Sequence, residues 1–255
     1  MVLPHDDVGA GPAVVLLHAG VSDRRMWAEH LGPISDAGYR AIAVDLPGFG
    51  EALLEPPVAP WSDVLTTLDA LGIDRAVLVG NSFGGAVALR TAVAAPQRVT
   101  GLVLVCTPPP EMEPSLELRA AWEAEESALE AGDLDQAVIA VLNAWTLPDT
   151  PAPLREQIAG MQRRAFELQV QAGTVTEAED PLESDPAALA RLATPALVVA
   201  GELDFVDFVA GAETLSRALP HSRHVVMPGA GHLAPLDQPE RFRELLLGFL
   251  TETGK

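Results

Sequence analysis

The chain has 255 residues, 48% of them hydrophobic, and a formal net charge of −20. That is enough apolar material for one sizeable core, and the charge argues against nucleic acid or an anionic membrane as partner, because both would be repelled. No apolar run approaches the length of a membrane span, the amino terminus carries acids instead of a basic leader region, and the single cysteine, Cys106, excludes an internal disulfide; a cytoplasmic protein with a small-molecule substrate is expected, with monomer and dimer both open.

In chain order, the first clear strand is the apolar run Ala13–Leu17, preceded by room for one leading strand around Val2 and Leu3. Further apolar runs near 40–44, 76–79, 102–105, 196–200 and 223–227 alternate with helical patterns. Such alternation predicts an α/β fold with a mostly parallel central sheet and helices on both faces.

The run ending at Val79 leads into Gly80-Asn81-Ser82-Phe83-Gly84, and residues 84–95 then read as an alanine-rich helix ended by Pro96. A serine between two glycines at a strand-to-helix turn is the context of a G-x-S-x-G elbow, which lifts the hydroxyl above the sheet edge. An ordinary Gly-rich βα turn would look the same in the pentapeptide alone, so the decision falls to the rest of the chain. An acyl-transfer serine needs a histidine base and a carboxylate that orients it. Both types occur downstream just past strands, at Gly201-Glu202-Leu203-Asp204 and at Gly229-Ala230-Gly231-His232, where the functional groups of parallel sheets collect.

With these residues in order the chain resembles the α/β-hydrolase superfamily over nearly its whole length. Residues 16–21, Leu-Leu-His-Ala-Gly-Val, are similar to that family's oxyanion segment, and Asp45-Leu46-Pro47-Gly48-Phe49-Gly50 to its D-x-P-G-x-G loop. The resemblance implies Ser82 as nucleophile, His232 as general base, Asp204 as orienting acid, and the N–H groups of Gly20 and Phe83 as oxyanion hole. It implies no metal and no cofactor. Ala19 stands where many relatives have glycine, and the short leader implies a sheet without its first edge strand.

The strand pattern is interrupted at 107–185. Leu134, Val138, Val141 and Trp145 recur at helical spacing, as do Leu154, Ile158, Met161, Ala165 and Leu168. They are expected to form a helical cap over 108–185, inserted into a core made of 1–107 and 186–255, with core helices resuming at Asp185-Pro186. Val21, Trp122, Trp145 and Met161 are the candidate pocket-lining side chains. Residues 111–135 hold nine acids against one base, Arg119, either as a solvated helix face or as a negative overhang of the site.

Rival residues are assigned structural work. His18 is expected to be a hydrogen-bonder, Asp45 to cap the Pro47-Gly48 turn, and Asp207 to cap a helix over Phe208–Leu219; His221 and His224 have a spacing that suits no zinc motif. A serine nucleophile argues against haloalkane dehalogenase and epoxide hydrolase chemistry, which in this family proceeds through aspartate. It leaves esterase, lactonase, C–C bond hydrolase, perhydrolase and hydroxynitrile lyase chemistry, with a carboxylic ester or lactone of a small neutral apolar molecule as the expected substrate. A small-molecule sensor using the same pocket, with slow hydrolysis, is the alternative of a different class.

Overall fold

The computed structural model describes residues 1–185 and 187–253. Seven strands form one sheet in the order β1-β3-β2-β4-β5-β6-β7: β1 (His5–Val8), β2 (Ala13–Leu17), β3 (Arg40–Val44), β4 (Ala76–Asn81), β5 (Val99–Val105), β6 (Ala196–Gly201) and β7 (Ser222–Met227). β1 runs antiparallel to β3 and the other pairs are parallel. The leading strand thus starts later than Val2 and Leu3. Leu3 instead drops into the core, fully buried, with its N–H held by Thr67 Oγ1 at 2.9 Å.

The helices are α1 (Ala28–Asp36), α2 (Pro60–Ala70), α3 (Phe83–Ala94), α4 (Leu116–Glu130), α5 (Leu134–Trp145), α6 (Ala152–Ala172), α7 (Pro181–Ser184), α8 (Val206–Ala218), α9 (Ala234–Asp237) and α10 (Pro239–Thr253). Successive strand residues point to opposite faces, and the core divides accordingly. Val14, Leu16, Val79, Val103, Val105 and Val199 pack with α1 and α10 through Ile34, Phe242 and Leu246. Val15, Leu17, Leu78, Leu104 and Val198 pack on the other face with α2, α3 and α8 through Leu68, Leu89 and Leu215. Strands buried on both faces have to be apolar without interruption, which is why they read as continuous runs.

This layering also fixes where a site can lie. β2 and β4 are neighbours, yet β2 feeds α1 on one face and β4 feeds α3 on the other. A crevice opens between their carboxyl ends at such a switch point. Between β5 and β6 the chain leaves the sheet to build α4, α5, α6 and α7, and the inward faces of α4–α6 (Leu118, Val138, Val141, Ile158, Met161 and Phe166) join the core of the α1 and α10 side. The return to the sheet differs from expectation. Asp180 caps the one-turn α7 by accepting the Leu182 N–H at 2.8 Å, Asp185 follows that helix, and Pro186 lies outside the described residues. Among the described residues no helix is long and apolar enough to cross a membrane.

Candidate active site

Ser82 is the turn between β4 and α3, with φ 52° and ψ −113°, a left-handed conformation that side-chain-bearing residues avoid. The flanking glycines make the bend sterically possible. A Cβ on Gly80 would lie 2.3 Å from the Gly84 carbonyl carbon, and one on Gly84 would lie 2.2 Å from Leu17 O. The elbow is held from below by Ser82 N–H to Val105 O at 2.8 Å. Asn81 adds a tie that sequence reasoning passed over, since its Nδ2 donates to Val105 O at 3.3 Å and to His232 O at 3.0 Å. Two loops from distant parts of the chain are thereby fixed together.

His232 follows β7 and Asp204 follows β6. His232 Nε2 lies 2.8 Å from Ser82 Oγ, and Nδ1 lies 3.0 and 2.9 Å from the two Asp204 oxygens. In that arrangement Nδ1–H donates to the carboxylate and Nε2 is free to accept from the serine hydroxyl. The imidazole is clamped between Trp145 and Phe208, each with ring centroids 4.4 Å away. Asp204 is fully buried at its side chain and also accepts the Phe205 N–H at 2.8 Å.

Several neighbours have defined work of their own. Cys106 lies behind the Asp204–His232 pair, the three ligand-type atoms falling within 4.8 Å of one another. Burial, then the nearby Asp204 charge, pushes the thiol pKa well above its ordinary value, so it stays protonated and is a poor metal ligand. His18 is completely buried, its Nδ1–H donating to Ala19 O at 2.8 Å and its Nε2 accepting the Leu46 N–H at 2.9 Å. Burial lowers its pKa, consistent with a neutral ring that joins the two loops. Asp45 accepts the N–H groups of Arg24 and Glu51, each at 2.9 Å, and pairs with the Arg24 guanidinium.

Asp207 is a correction. α8 begins at Val206, so Asp207 sits inside its first turn instead of capping it. Its carboxylate reaches across to Ser115, accepting the N–H at 2.6 Å and the hydroxyl at 2.8 Å. Burial opposes its ionisation, but these hydrogen bonds outweigh it and lower the pKa. Because Ser115 is the N-cap of α4, Asp207 ties that helix to the start of α8.

A cavity of about 500 Å³ opens above Ser82 and His232, lined also by Gly20, Val21, Phe83, Ala86, Arg90, Met112, Trp122, Glu125, Trp145, Phe208 and Pro108 to Pro110. Gly20 and Phe83 lie side by side there, since a methyl added to Gly20 would touch Phe83 Cβ at 3.5 Å. Of the sequence candidates, Val21, Trp122 and Trp145 line this cavity. Met161 does not: it is fully buried on the inward face of α6 and packs into the core. Phe208, Met112 and Arg90 went unnoticed in the sequence, and Glu125 was counted only among the acids of residues 111–135, because lining residues come from segments that meet only in three dimensions.

A family model described as the alpha/beta hydrolase family matches residues 14–245. The chain belongs to the α/β-hydrolase family. This α/β-hydrolase is 31% identical over 271 residues to a 2-hydroxy-6-oxo-6-phenylhexa-2,4-dienoate hydrolase of Burkholderia cepacia, covering 96% of this chain and 90% of that one. It is 30% identical over 258 residues to a pimeloyl-[acyl-carrier protein] methyl ester esterase of Aeromonas hydrophila, covering 95% and 96% of the two chains. Among solved structures, a thermophilic esterase from Thermogutta terrifontis with malate bound aligns with TM-score 0.82 and 30% identity, over 99% of this α/β-hydrolase and 94% of that chain.

Proposed function

We propose that the protein is a serine hydrolase that cleaves the carboxylic ester or lactone bond of a small, largely apolar substrate through an acyl-enzyme on Ser82. The observation that carries this reading is the continuous hydrogen-bonded row from Ser82 Oγ through His232 to Asp204 beneath the cavity. His232 Nε2 takes the Ser82 proton as Oγ attacks the acyl carbon, and the imidazolium is stabilised by Asp204. The developing oxyanion is received by the N–H of Phe83, which as the first residue of α3 has no carbonyl partner within its helix, and by that of Gly20 across from it. His232 returns the proton to the leaving alcohol, then activates water to release the acid and restore the serine.

C–C bond hydrolysis with the same residues is a second reading, favoured by the relative named for a dienoate, a substrate without an ester bond. The first test is kinetic. Ser82→Ala should lower turnover of an activated aryl ester by several orders of magnitude with the fold unchanged by circular dichroism; retention of more than a few per cent of wild-type activity would remove Ser82 from the nucleophile role. Faster turnover of a 2-hydroxy-6-oxodienoate than of any ester would favour the second reading.

A further inference from the structure

Helix α4 carries its acids outward with one exception. Leu118 is fully buried, Trp122 lines the cavity and Leu129 packs against the core, and positions 118, 122, 125 and 129 fall on one helical stripe. Glu125 occupies that stripe, whereas Glu117, Glu123, Glu126 and Glu130 are exposed. A carboxylate on the inward face of an amphipathic helix is costly unless an opposite charge or donors meet it. Glu125 is half-buried and lines the same cavity as Ser82 and His232. Among the described residues no base and no hydrogen-bond donor acts on its carboxylate; burial alone does, and it raises the pKa.

The other charged side chain of the cavity wall is already committed. Arg90 places Nε 2.7 Å from Asp180 Oδ2 and donates from Nη1 to Ala86 O at 3.2 Å, and its Nη2 is also 2.7 Å from Asp180. Its charge is thus matched by Asp180, and the Glu125 charge is left without a counterpart. Beside it stands Trp122, 40% exposed, whose indole face attracts cations. Carboxylate and indole therefore favour the same sign of charge in one place.

We propose that the substrate carries a cationic group, a protonated amine or a quaternary ammonium, which docks on Glu125 and Trp122 while the acyl carbon lies at Ser82. This rests on the reading of Ser82 as the nucleophile of an ester hydrolase and names the substrate class of that site. Glu125 sets specificity and takes no part in the proton transfers.

The test pairs choline butyrate with 3,3-dimethylbutyl butyrate, which has nearly the same shape and no charge. At low salt the wild type should favour the choline ester by about tenfold in kcat/KM. Glu125→Gln should erase that preference, the loss in kcat/KM being about tenfold greater for the choline ester than for the neutral ester. A wild-type preference for the neutral ester, or a choline preference that survives Glu125→Gln, would overturn the proposal. A second readout is independent of turnover: quenching of tryptophan fluorescence by choline and by 3,3-dimethylbutan-1-ol, titrated on Ser82→Ala with and without Glu125→Gln. Tighter choline binding that depends on Glu125 supports the cation site even if neither ester is hydrolysed, in which case the esterase reading alone fails. Equal binding of the two probes overturns the cation site and leaves the esterase reading standing.

Discussion

Asp204 and Asp207 stand three residues apart, and the structure gives them different partners. Asp204 orients His232, so Asp204→Asn should leave the fold intact and lower kcat by up to about 10⁴-fold, because an amide favours the wrong imidazole tautomer. Asp207→Asn replaces one of the two carboxylate oxygens that receive Ser115 at the start of α4 by an amide donor; it should loosen the helix that carries Trp122 and raise KM more than it lowers kcat. Steady-state kinetics of the two variants on one aryl ester decide the matter, and the reverse order would move the orienting role to Asp207. At this scale the meeting of Ser82, His232 and Asp204 in one hydrogen-bonded row was legible in the sequence because each type stands at the end of a parallel strand. Lining residues were not. Met161 and Trp145 share the same helical periodicity signal, yet one is sealed in the core and the other stacks on His232, since the tilt of α5 and α6 is set by packing that no local pattern records.

Among the elements, β2 to β6 were readable because each is buried on both faces and β7 by its apolar end Val225–Met227, although that edge strand is only partly buried, whereas β1 was misplaced because its residues are mostly exposed and polar. Junctions between elements hold buried titratable groups that the sequence hid altogether. His30 of α1 is buried, with its Nε2–H donated to Pro235 O at 3.1 Å beside α9, and burial lowers its pKa from 6.5 to about 4. Asp237 of α9 accepts the Gly231 N–H at 2.9 Å, and burial raises its pKa from 3.8 to about 6. Between pH 4 and 6.5 the unfolded chain holds more protons at His30 than the folded one does, so this group makes stability rise with pH. Between pH 3.8 and 6 the folded chain holds more at Asp237, so that group makes stability fall with pH. The two contributions oppose each other. Urea midpoints measured across this range should show the difference His30→Gln minus wild type falling with rising pH, and the difference Asp237→Asn minus wild type rising; matching signs would refute the assignment.

For the whole molecule, the net charge is −20 and nine of the 36 acids lie within residues 111–135, the segment that also gives Met112, Trp122 and Glu125 to the cavity wall. That field should slow the approach of anions. Of a matched pair of neutral and carboxylate-bearing esters, the neutral member is expected to be turned over faster at low salt, with the gap narrowing as the Debye length shrinks from about 30 Å at 0.01 M to about 8 Å at 0.15 M; a preference for the anionic ester at low salt would contradict this. The fold itself places Ser82 after β4, Asp204 after β6 and His232 after β7 at one end of the sheet, and the proposed acyl transfer requires Ser82 Oγ to be the atom that reacts. The most direct measurement is the mass of the intact protein and of its peptides after treatment with a fluorophosphonate, which traps activated serines. One adduct on Ser82, formed with loss of esterase activity, absent from Ser82→Ala and greatly slowed in His232→Ala, is the expected result. An adduct on another residue, or full labelling without loss of activity, would contradict the account.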